Sequence, residues 1–369
     1  MYGDCALWQR RIVTPMPDNE LKTVNWSQHA PANSFVGPHA ADHFQFEVAG
    51  VSVRLSGARL ENGTDPVLRR FCVPESVPDI RLQVRWRPKL DAMSAQPLFD
   101  SGTTWRLYES DLGFQFDFNA PAIGSHPYKR LVTDQYFQRA TLELSEESFA
   151  SLSSSVSPLE YPLDELLIMH RLTQEKGIEL HGTGIVRPNG EANLFVGHSG
   201  AGKSTTTWLW TAVEDVEVLS DDRIIVRWDE CGLGKFHGNR ASSSNVGILR
   251  LRDCSASRTN LFAQDDNPRT RMRMYGTPWH GEAMFASPNS APLTRIFVLE
   301  HGHGNVITPM SPSRAVAELF ARSFVPFHRH EYVDSALVFL EELADAVPVY
   351  RYAFEPDQRA VEKIRNFHD

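Results

Sequence analysis

LFVGHSGAGKSTTTWLWTAV, residues 194–213, decides the fold: an apolar run, a loop with three glycines, and then a segment that can continue as a helix. Gly197, Gly202, Lys203 and Ser204 satisfy G-x-x-x-x-G-K-[ST], with the apolar run Leu194–Val196 before it and residues 205–213 after it. Chemistry explains the spacing. Glycines let backbone N–H groups converge on phosphate oxygens, and a helix amino terminus favours their negative charge. Lys203 reaches the terminal phosphates, and the Ser204 hydroxyl is placed to ligate Mg²⁺. The candidate nucleotide-binding residues are therefore Gly197, His198, Ser199, Gly200, Ala201, Gly202, Lys203, Ser204 and Thr205.

The flanks support a strand–loop–helix unit. Upstream, two β-rich runs flank Pro188-Asn189-Gly190, a hairpin turn signal. Downstream, VEVLSDDR (216–223) reads as a short strand ending in Asp221-Asp222, one helix and one strand beyond Lys203. One carboxylate of that pair can hold Mg²⁺ while the other accepts the proton of an incoming hydroxyl. Before the hairpin, Pro162, the acids Asp164 and Glu165, and leucines at helical spacing predict an amphipathic helix that ends near Gly177.

The amino-terminal part reads differently. DIRLQVRW (79–86) alternates strictly, and shorter alternations run through Phe44–Val48, Val51–Leu55, Phe114–Phe118 and Ala140–Leu144. This pattern predicts an antiparallel sheet with one solvated face. Trp105, Tyr108 and Phe114 fit sheet core better than a binding groove. The Ser-rich stretch 147–158 predicts a linker, which gives a β-rich α+β domain over 1–157 and an α/β nucleotide-binding domain over 158–369. The first is a candidate for substrate or partner recognition.

Composition narrows the partners. The chain has 369 residues and a net charge of −9, with no run of five Lys or Arg, which argues against nucleic acid or an anionic membrane as main partner. No long apolar segment or leader-like start appears, and the four cysteines contain no Cys-x-x-Cys pair. A soluble, cytoplasmic protein is the expectation, whether monomer or homo-oligomer.

The order of a His181-Gly182 strand, a hairpin, GHSGAGKS and LSDD resembles the catalytic domain of HPr kinase/phosphorylase, whose fold is related to phosphoenolpyruvate carboxykinase. The resemblance covers roughly residues 160–355. It implies an ATP- and Mg²⁺-dependent kinase in which His181, Lys203 and Asp222 are catalytic and Ser204 binds the metal, which leaves Asp221 as the metal carboxylate of the pair. HPr-recognising enzymes carry a Glu-x-Arg-Gly segment about 25 residues after the Asp pair, whereas GNRASSSNVGILRLRD (238–253) here has no glutamate. GTPWHGE (276–282) and APLTRIFVLE (291–300) are instead similar to a subgroup with an extra amino-terminal domain, some encoded beside genes for ribosomally made peptides. Glu282 is a candidate replacement metal carboxylate and His280 a candidate phosphate contact.

The expected activity is thus ATP-dependent phosphorylation of a hydroxyl, a serine or threonine of a peptide or protein. The alternatives are a nucleotide-responsive binding or regulatory protein, a small-molecule hydroxyl kinase, and carboxykinase chemistry. Arg240, Arg250 and Arg252 are candidate phosphate-stabilising arginines, and His301, His303, His328 and His330 read as solvated loop residues. In the tail, helices are expected from Pro312 to Phe320, from a cap at Asp334 to Leu343, and from Pro356, with a strand over 347–354.

Overall fold

The computed structural model describes residues 43–57, 60, 65–102, 104–120, 123–150, 157–228 and 272–368. Arg240, Arg250, Arg252 and the 238–253 segment lie outside the described residues. The fold is mixed α/β, built on two mixed sheets. No helix among the described residues is long and apolar enough to cross a membrane.

The first sheet contains β1 (His43–Val48), β2 (Val51–Ser56), β3 (Ile80–Arg87), β4 (Phe99–Asp100), β5 (Trp105–Ser110), β6 (Gly113–Phe118), β7 (Lys129–Asp134) and β8 (Arg139–Ser145). Its order is β1-β2-β3-β8-β7-β6-β5-β4. In β3 the strict alternation becomes burial of Ile80, Leu82 and Val84 with Arg81, Gln83 and Arg85 exposed. The sheet is not wholly antiparallel, however, because β3 runs parallel to both β2 and β8. Alternation records which face is buried and carries no information on strand direction. Trp105, Tyr108 and Phe114 are buried in the sheet, as core aromatics should be.

After β8 comes α1 (Glu146–Ala150), where the Ser-rich stretch suggested only a linker; residues 151–156 of it lie outside the described residues. Next is α2 (Leu163–Leu172), which departs from the amphipathic expectation: every residue except Arg171 is buried. Its leucines, Ile168 and Met169 join the core of the first sheet, together with Ile225 and Trp279 from the second half of the chain. A helix that is buried nearly all round, acids included, is one enclosed on more than one side. The compositional boundary thus falls before a helix whose packing surface belongs largely to the first sheet.

The second sheet is organised around β9 (Gly177–Val186), which the predicted hairpin joins to β10 (Ala192–Val196). The remaining elements are α3 (Lys203–Val213), β11 (Glu217–Ser220), β12 (Arg223–Trp228), β13 (Met272–Tyr275), β14 (Ser290–Pro292), β15 (Arg295–His301), β16 (Val306–Pro309), α4 (Pro312–Phe320), β17 (Ser323–Phe324), α5 (His330–Ala346), β18 (Val349–Phe354) and α6 (Gln358–Arg365). β10, β15 and β18 are mutually parallel neighbours, whereas β9 is antiparallel to every strand it meets.

Two boundaries in the tail differ from expectation. α5 begins at His330, so Asp334 is inside it, and α6 is capped by Asp357, whose carboxylate accepts the Arg359 N–H. Both are local competitions that sequence signals resolve only to within a turn.

One feature of β9 positions everything that follows. Along one edge it pairs first with β12 through residues 177–181 and then with β11 through residues 184–186; along the other it pairs with β17 and then β10. Partners on both edges change at His181-Gly182. There Gly182 N–H donates to the Asp222 carbonyl, and His181 O accepts from Gly197 N–H. The His-Gly dipeptide, the Asp pair and the start of the glycine loop are therefore joined by main-chain hydrogen bonds.

Candidate active site

The glycine loop spans the end of β10 and the start of α3. Gly202 has φ +99°, a left-handed conformation, and a Cβ there would lie 2.4 Å from Cζ of Phe354, so only glycine fits. Gly200 is likewise left-handed, at φ +80°. Lys203 is the first residue of α3, and its Nζ donates to the carbonyls of Gly197 and His198, each at 3.0 Å. Burial pulls its ammonium down to about 8, with Asp222 opposing and Arg223 adding to the shift.

On the same face of β9, His181 and Glu179 stand two residues apart. His181 Nε2 meets Asp222 Oδ1 at 3.1 Å, while Arg223 Nη1 donates to Asp222 Oδ2 at 2.6 Å. Burial alone would raise the Asp222 carboxyl, but the His181 hydrogen bond and the Arg223 charge outweigh it and hold the group at about 2. His181 moves below the ordinary histidine range, mainly through burial. Asp222 is therefore a fixed, ionised acceptor at neutral pH.

His181, Lys203 and Asp222, expected to act together, line one cleft of about 680 Å³. Ser199, Gly200, Gly202, Ser204, Thr205, His280 and Glu282 line it as well, as do Tyr161, Asp164 and Trp279. Its far wall comes from Asp65, Val67 and Leu68 of the amino-terminal half. Gly197, His198 and Ala201 shape the loop without lining the cleft.

Asp221 stands apart from its neighbour. It is 1% exposed; Oδ1 accepts the N–H groups of Gly281 and Phe285, and Oδ2 accepts that of Ala283. The structure gives this carboxylate to the 281–285 loop rather than to the cleft. That anchor places Glu282, exposed between two tied residues, at the cleft surface. Among the described residues no group of three or more His, Cys, Asp or Glu is arranged to hold a metal. Mg²⁺ commonly needs only one or two carboxylates when substrate phosphates complete its shell, so the Ser204 hydroxyl with the Glu282 carboxylate, both lining the cleft, fits such an ion.

Several site residues carried no sequence signal. Arg223 is buried against Glu165 and Glu179, and Trp279 Nε1 donates to Asp164 Oδ2 at 2.9 Å. Asp164 and Glu165 read in the sequence only as first-turn acids of a helix. Two of the histidines expected in solvent also have partners: His301 is exposed but meets the Gly200 carbonyl at 2.6 Å and lines the cleft, and His328 packs against Phe114 and His170.

No family model matches the chain, and no curated protein matches it.

Proposed function

We propose that the chain is an ATP- and Mg²⁺-dependent phosphotransferase that moves the γ-phosphoryl group to a hydroxyl, a serine or threonine of a peptide or protein. One observation carries the reading: the glycine-loop lysine and a His181–Asp222 pair line the same cleft. A phosphate cradle alone fits any nucleotide-binding protein, whereas an ionised carboxylate fixed beside it fits proton removal from an acceptor.

In this reading Lys203 and the loop N–H groups bind the phosphates and spread the negative charge of the transferring group. Asp222 accepts the acceptor's hydroxyl proton as its oxygen bonds to the γ-phosphorus, and the bond to the β–γ bridging oxygen breaks with its electron pair leaving on ADP. His181 holds Oδ1 of Asp222 in place. Ser204 and Glu282 would hold Mg²⁺, which when bound neutralises phosphate charge. Because Asp222 is a weak base, its contribution comes chiefly from position.

The test is γ-phosphate transfer to a degenerate Ser/Thr peptide library by the chain and by Asp222→Asn. Asp222→Asn is expected to lose transfer by about 100-fold or more while still binding ATP. Equal transfer by both would refute the base assignment, and ATP binding without transfer to any peptide would refute the peptide-kinase reading.

A further inference from the structure

The arginine beside Asp222 invites assignment to transition-state charge, but its surroundings point elsewhere. Arg223 Nε donates to Glu165 Oε1 at 2.7 Å and lies 3.4 Å from Glu179 Oε1, while Nη1 donates to Asp222 Oδ2 at 2.6 Å. The Phe324 ring lies 4.0 Å from the guanidinium carbon. Three carboxyl groups and an aromatic face thus hold one cation, with little of its charge left for a phosphoryl oxygen. Glu165 is 1% exposed and Glu179 is fully buried. Burial and then the Glu165 carboxylate push the Glu179 carboxyl well above its ordinary range.

We infer that Glu165 is a positioning residue: through Arg223 it fixes the orientation of the Asp222 carboxylate, so that Oδ1 stays on His181. This rests on the phosphotransferase reading for its catalytic consequence, though not for the geometry. Glu165 is supplied by α2, whose apolar surface is packed into the core of the first sheet. The preceding residue, Asp164, holds Trp279 of the 276–282 segment. One turn of α2 thereby sets both the proton acceptor and the segment that presents His280 and Glu282 to the cleft. The amino-terminal sheet is then part of the alignment of the site as well as its wall.

A buried ion array is seldom worth more to stability than apolar residues of the same shape, which makes a positioning role testable apart from folding. The charge-removing variant is Glu165→Gln/Glu179→Gln, which leaves Asp222 as the one carboxylate beside Arg223. Without them Arg223 turns both guanidinium nitrogens onto Asp222 and frees His181, and its uncompensated charge disfavours imidazolium. The His181 ring titration, followed by NMR, is expected to fall by about one unit or more. Transfer is expected to drop about tenfold or more, with nucleotide affinity changed less than about twofold.

An unchanged His181 titration in the folded double variant would overturn the inference. A changed titration in a chain that transfers no phosphate would leave the inference standing and refute the proposed function alone. Should the double variant not fold, Glu165→Gln takes its place: reduced transfer at unchanged ATP affinity supports the role, and wild-type transfer overturns it.

Discussion

Raising the pH from 7.5 to 9.5 discharges Lys203 and so isolates its proposed part in phosphate binding. Lys203 is 7% exposed, and its Nζ is bonded to two carbonyl oxygens, which accept its hydrogens whether or not it is charged. Burial lowers the ammonium to about 8. About three quarters of the chains carry the charge at pH 7.5 and about 3% at pH 9.5, so if only the charged form holds the terminal phosphates, affinity falls by about 25-fold. Calorimetry in two buffers of different ionisation enthalpy reads both the affinity and the proton taken up on binding. Lys203→Arg, charged throughout, should show neither effect. Stability should move the opposite way: between pH 8 and the ordinary lysine range the folded chain has lost a proton the unfolded chain keeps, so folding is favoured as pH rises. Nucleotide affinity constant within about twofold over this range would refute the assignment of Lys203 as the phosphate-binding charge.

Two further outcomes follow from the buried acids. Burial raises the Asp164 carboxyl to about 7 despite the hydrogen bond from Trp279. The folded chain then keeps a proton that the unfolded chain gives up, and stability is lost as pH rises from the ordinary carboxylate range to 7. Asp164→Asn removes that loss. Relative to wild type it should gain about 2–3 kcal/mol between pH 5 and pH 8 in denaturant unfolding, and an equal difference at both pH values would contradict the raised carboxyl. Asp221→Asn puts an NH₂ against one of three N–H groups now accepted by the carboxylate, and should cost about 1–3 kcal/mol of unfolding free energy at neutral pH. A cost near zero would mean that the 281–285 loop does not depend on this anchor.

Much of the local structure was legible because local chemistry specifies it. Alternation marked β3, Pro188-Asn189-Gly190 marked the β9–β10 hairpin, and the glycines at 197, 200 and 202 marked a loop whose residue 202 tolerates no side chain against Phe354. The resemblance carried by the His-Gly strand, the glycine loop and the Asp pair nominated His181, Lys203 and Asp222, which do share a cleft. Sequence distinguished Asp221 from Asp222 only by analogy. The difference between them arises from Gly281, Ala283 and Phe285, sixty residues on, whose N–H groups converge on one carboxylate and leave the other to the cleft.

The sequence by itself determined the glycine loop, because a helix start, close-approaching glycines and one lysine are contiguous and their chemistry is local. The tertiary structure alone decided which acids serve the site. Asp164 and Glu165 look like ordinary first-turn acids until α2 is packed into the core of the amino-terminal sheet, which removes them from water and leaves Trp279 and Arg223 as partners. A carboxylate in solvent is hydrated and indifferent to its neighbours. The same group out of water must find a donor or keep its proton, and that requirement, set by packing between distant segments, fixes the geometry around Asp222.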